Sequence, residues 1–140
     1  MLVISLAAAA VLGATGSAVV GDGLPAALTA QPGDVQRGRE IVGSRSQGMC
    51  LLCHAGPAEL FADERTPGNV AASLAGVGGR FTEAQLRLRV ADARRLNPQS
   101  PMPAYLRTEG LQRVAPAWQG RSLLTPQQVE DVVAFLRTLQ

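Results

Sequence analysis

Lysine does not occur anywhere in these 140 residues, so all thirteen positive side chains are arginine. Eleven carboxylates bring the formal net charge to only +2. Without a basic tract, that balance gives no footing for a nucleic-acid binder. Arginine also suits lasting, partly buried contacts with carboxylates better than lysine would. No segment alternates apolar and polar residues at period two, which removes the usual signature of a half-buried strand. Cysteine is confined to Cys50 and Cys53, and the single histidine, His54, follows directly. A zinc site of four protein ligands therefore lacks its fourth, and the three available residues stand too close together to close a tetrahedron.

What is present begins with an apolar leader. Residues 1–20, MLVISLAAAAVLGATGSAVV, carry no charge and read as a signal-peptide core followed by small residues, with cleavage after Ala18 or further on, before Gln31. The alternative is retention as a membrane anchor, since about twenty apolar residues can span a bilayer. On either reading the folded part is exported, and a periplasmic, oxidising compartment is expected. Residues 21–32 are a Gly/Pro/Ala stretch without periodicity. The expected division is 1–30 as signal peptide and linker and 31–140 as one domain, long enough for a single core.

Three helices are expected in that domain. Asp34 reads as the N-cap of a short helix over Val35–Val42. Gly38 in its middle costs about 1 kcal/mol against alanine, and so calls for a packing reason such as a closely crossing helix. Thr82 and Gln85 form a capping box for a second helix, with Leu86, Val90 and Ala93 on one stripe, ending before Pro98. Arg87, Arg89, Arg94 and Arg95 fall mostly off that stripe and are expected on a solvated or partner-facing side. The third helix has Thr125 as N-cap, Pro126 at its first position and Gln128 completing a capping box. Val129, Val132, Val133, Leu136 and Leu139 give it an apolar face, with Phe135 beside it. The fold class is therefore all-α, three main helices joined by long loops. Loops of that length in a small helical domain are unusual without function, and something besides side chains is expected to fill the centre.

The stretch GMCLLCHAGP, Gly48 to Pro57, says what that is. A thioredoxin-like dithiol would follow a strand in a βαβ unit, which is missing here. A disulfide between Cys50 and Cys53 would close a loop too small to constrain the unfolded chain much. C-x-x-C-H is the attachment signature of haem c: two thiols add to the vinyl groups, and the next residue's imidazole becomes the proximal iron ligand. On this reading Cys50 and Cys53 hold one haem covalently and His54 ligates its iron. For the sixth position lysine is absent and the histidine is used. Met1 leaves with the leader, and Met49 abuts Cys50 on the wrong side of the ring. Met102, fixed between Pro101 and Pro103, is the expected ligand; the alternatives are Tyr105 as ligand or Met102 as a core filler. His/Met ligation fills both axial positions, which marks an electron carrier rather than a site for bond-making.

From about Asp34 to Leu139 the chain resembles the SoxX family, the small monohaem cytochromes c of the periplasmic SoxAX sulfur-oxidation complex. The resemblance rests on RGREIV, GMCLLCHAGP, LAGVGGRFTEAQLRLRVAD, RRLNPQSPMPAY and RVAPAWQGRSLLTPQQVEDVVAFL. It implies a class I cytochrome c fold around one haem, with Gly38 and Phe135 at the crossing of the first and last helices. It implies a SoxA-like haem subunit as partner, the carrier SoxYZ whose cysteine receives thiosulfate, and a soluble cytochrome c that accepts the electrons. This chain has no third cysteine and so holds no substrate thiol; the bond chemistry would lie on the partner. Further expectations are Arg80 as a propionate partner or a surface arginine, Trp118 as a propionate donor or a packed aromatic, and Leu74 and Leu123 against the porphyrin. The alternatives at this stage are a free-standing periplasmic class I cytochrome c shuttle and a CxxC thiol–disulfide enzyme.

Overall fold

The computed structural model describes residues 18–140. The leader, 1–17, and the signal-peptide expectation attached to it lie outside the described residues. Four helices follow in order: α1 (Val35–Gly43), α2 (Val77–Arg80), α3 (Glu83–Asp92) and α4 (Pro126–Thr138). Short 3₁₀ turns occur at Cys50–Leu52, Ala93–Arg95 and Pro116–Trp118. The described residues contain no strand, only an isolated bridge between Val20 and Gly23. None of their helices is long and apolar enough to cross a membrane.

The helix ends form as their residues dictate. The Asp34 carboxylate accepts from the Arg37 N–H at 2.8 Å and caps α1. Both capping boxes close, Thr82 with Gln85 and Thr125 with Gln128. The apolar face of α4 is buried along its whole length, from Val129 to Leu136, with Phe135 inside as well. α1 crosses α4 at Gly38, where an added Cβ would stand 1.9 Å from the Asp131 carbonyl oxygen and 2.8 Å from Phe135 Cβ. The expected packing reason for that glycine is therefore the backbone of the last helix. Asp131, buried beneath this crossing, accepts a bidentate pair from Arg37 (2.8 and 3.0 Å) and the Asp34 N–H (2.8 Å).

The sequence reading needs three corrections. The LAGVGGR stretch, expected as loop, becomes α2: Gly76 enters it in the left-handed region (φ 69°), and Gly78 lies against the last carbonyls of α4. Arg87 is not on a solvated face. It is 2 % exposed and bonded through Nε to Glu130 at 2.7 Å, with Glu83 on its other side. The carboxylate that makes this possible comes from α4, 43 residues on, and a buried charge needs such a partner. Finally, residues 19–30 do not hang free as a linker. Leu24 is buried, its N–H donates to Ala84 O at 2.8 Å, and its carbonyl accepts from Arg87 at 2.9 Å. Asp22 pairs with Arg89, and the Leu28 N–H reaches Glu130 at 2.8 Å. This strap lies over α3 and α4 and covers the Arg87–Glu130 pair.

Candidate functional site

A cavity of about 510 Å³ opens between α1, α4 and the long loops. Cys50, Cys53, His54 and Met102 all line it, so the structure brings the four expected residues to one place. Val42, Val132 and Leu136 form the helical wall, with Leu74 and Val90 beside them.

The loop carrying the thiols is shaped by its own backbone. Met49 sits in the left-handed region (φ 57°), which a non-glycine residue enters only under constraint. A 3₁₀ turn follows, and the His54 N–H closes it onto Cys50 O at 2.9 Å. The segment after Thr66 wraps this turn tightly. The N–H groups of Val70 and Ala71 both donate to Cys53 O, at 3.1 and 3.0 Å, and a Cβ at Gly68 would strike the Cys53 backbone at 2.4 Å.

His54 is oriented by one contact: Nδ1 donates to Ala72 O at 2.6 Å. That bond fixes the tautomer and keeps the Nε2 lone pair free to bind a metal. Met102 is held by its N–H on Ser100 Oγ at 3.2 Å and by the prolines on either side. Tyr105, buried on the same wall, donates its phenol to Gly48 O and so ties the methionine loop to the cysteine loop.

Cys50 and Cys53 are free and not joined to one another. Burial pushes the Cys50 thiol up to about 11, against about 8.5 for an ordinary thiol. A redox dithiol needs the opposite, a thiol lowered into the thiolate range near neutrality. Together with the lack of a strand before the pair, this removes support from the thiol–disulfide reading.

The donor set fits haem c. Two thiols with two residues between them, an imidazole with a free Nε2 and a thioether face one pocket, all ligand types that iron porphyrins use. The size lies within the range of about 300–1,000 Å³ typical of cofactor sites, and the walls are predominantly apolar as such sites are.

Other expectations fare differently. Leu74 lines the cavity, but Leu123 does not; its neighbour Leu124 takes that place. Arg80 gives its two Nη groups to the carbonyls of Ala75 and Ser73, both at 2.7 Å, and does not reach the cavity. Trp118 is 47 % exposed and lies beneath Arg121 on the surface, so it is neither a packed aromatic nor a donor into the pocket. Sequence reasoning missed the Ala72 carbonyl, which carries no side-chain signal, and the exposed Leu52 and Val70 at the cavity's rim.

Neither family models nor curated proteins give a match to this chain. Among solved structures it is similar to the crystal structure of SoxXA from P. pantotrophus. The identity is 37%, the match covers 88% of this chain and 93% of that one, and the TM-score is 0.79. The c-type cytochrome SorU from Sinorhizobium meliloti matches at 25% identity over 75% of this chain and 88% of that one, with a TM-score of 0.45.

Proposed function

The chain belongs to the SoxX family of c-type cytochromes, and on that premise we propose that it is the electron-transfer subunit of a SoxXA-type complex. Cys50 and Cys53 would hold one haem c through thioether bonds, and His54 Nε2 and the Met102 sulfur would ligate its iron. The observation that carries this reading is that His54, with its Nδ1 committed to Ala72, and Met102, between its prolines, line the same apolar cavity as the two thiols.

Bound there, haem c supplies a one-electron couple whose potential a thioether ligand raises. The protein's own residues do the rest. Ala72 keeps the imidazole in the ligating tautomer, and the valines and leucines of α1 and α4 exclude water. Tyr105 locks the two ligand-bearing loops to each other, and its phenol is spent on Gly48 O as the His54 Nδ1 is on Ala72 O. In this reading the partner is a SoxA-like haem subunit, where thiosulfate is oxidatively joined to a cysteine of the carrier SoxYZ. The electrons leave through this chain to a soluble cytochrome c in the periplasm. The exposed Leu52 and Val70 at the cavity's mouth offer an apolar surface to such a partner.

The test is purification from cells grown on thiosulfate. A haem-staining band at this chain's mass on a denaturing gel, co-eluting with a second, larger haem protein, is the expected result. A haem-bearing chain that stays monomeric throughout would transfer the assignment to a free-standing shuttle, and an unstained band would remove the haem reading altogether.

A further inference from the structure

The loop that connects Met102 to α4 builds a second cleft, of about 410 Å³, which shares no residue with the central cavity. Arg94, Arg107 and Arg113 line it, with Pro98, Gly110 and Gln112, and no carboxylate is among them. Arg107 commits Nε and Nη2 to Asp92 Oδ2, at 3.0 and 2.7 Å, and its Nη1 has no acceptor among the described residues. Arg94 makes one long bond, Nε to Ser100 O at 3.4 Å, and neither Nη group has an acceptor among the described residues. Arg113 has no acceptor at all among the described residues. Three guanidinium groups thus line one cleft, of which only Arg107 has a carboxylate partner among the described residues.

Two further features point to a ligand. Arg113 holds a left-handed backbone (φ 55°), a conformation that costs a non-glycine residue of order 1–3 kcal/mol and that clusters at binding sites. The cationic groups also come from separate places in the chain, the turn after α3 and two points of the following loop. Arg107 gives both of its bonded donors to one oxygen of Asp92, and Asp92 Oδ1 is buried without a partner among the described residues. Unused donors brought in from separate segments suit an anion with acceptors on every side.

We propose that this cleft binds a doubly charged tetrahedral oxyanion of the sulfate class. The site stands on these residues alone and does not depend on which partner the chain has.

The experiment is a calorimetric titration of the haem-loaded protein with sulfate, at ionic strength held constant with chloride. Saturable binding of one anion per chain is expected. Arg94→Gln with Arg113→Gly should weaken it about tenfold or more, since hydrogen bonds to charged groups are the stronger kind. Glycine accepts the left-handed backbone without strain, so the fold is not put at risk, and Arg107 is left in place to serve Asp92. The single variant Arg113→Gly should bind sulfate more weakly while its thermal transition in chloride stays level or rises. That split is not expected of a purely structural arginine. A non-saturating response identical to that of chloride, or undiminished binding in the double variant, would overturn the proposal. So would a change in the haem spectrum of the double variant in chloride, which would assign these arginines to the prosthetic group instead.

Discussion

Met102→Ala should leave haem attached through Cys50 and Cys53, while the reduction potential falls and the weak long-wavelength sulfur-to-iron absorption band disappears. Survival of that band would exclude Met102 as the ligand. Arg87 tests a different kind of residue. Removing one member of a buried ion pair strands the other, at about 3–5 kcal/mol, whereas replacing both by apolar groups is often close to neutral. Arg87→Met should therefore lower the thermal transition sharply, and adding Glu130→Leu should recover most of the loss. Recovery will be incomplete, because Glu130 also accepts the Leu28 N–H. None of this was legible in the sequence around Arg87. An arginine off the apolar stripe reads as solvated; the burial is decided by a carboxylate on α4 and a carbonyl 63 residues upstream, at Leu24.

At the scale of elements, sequence and structure agree where the signal is local. Caps, capping boxes and the apolar face of α4 lie within a few residues of one another, and all three long helices start where those signals put them. The short α2 escaped because its stability comes from the end of α4 against Gly78 rather than from its own four residues. The crossing of α1 and α4 gives the sharpest test. Gly38→Ala pushes a methyl into the Asp131 carbonyl, and overpacking of that kind costs about 1–3 kcal/mol, measurable as a shift in denaturant midpoint. The same crossing sets an acid limit. Burial alone would raise the Asp131 carboxyl, but the bonds from Arg37, the Asp34 N–H and Gln127 outweigh it and hold it below 3.8. A carboxylate depressed in the folded state contributes stability that is present above its unfolded value and lost as pH falls through the folded one. An acid titration of the holoprotein should show stability falling below about pH 4, and Asp131→Asn should flatten that limb while lowering stability at neutral pH.

For the molecule as a whole, the cavity dominates. Val42 of α1, Val90 of α3, and Val132 and Leu136 of α4 all face this space of about 510 Å³, so the packing between those helices is tied to what fills it. Cys50→Ala with Cys53→Ala should accordingly give a chain that retains helical far-ultraviolet dichroism, loses its near-ultraviolet signal and binds a hydrophobic dye. A sharp, cooperative transition in that variant would mean the helices need no prosthetic group to hold them. The four residues that meet in the cavity were readable in the sequence because the thiols and imidazole are adjacent and the thioether sits between prolines. The shape of the site was not readable, since Leu124 rather than Leu123 faces the cavity through a choice of register made by the Tyr105 carbonyl, which accepts both their N–H groups.

The strap of residues 19–30 bears on how the protein can be handled in the laboratory. A recombinant version trimmed to begin at Gln31, the boundary that composition invites, would lay a salt bridge bare to water along one flank and strip two backbone partners from it. Fusion tags belong upstream of Val19, or at the far end of the chain.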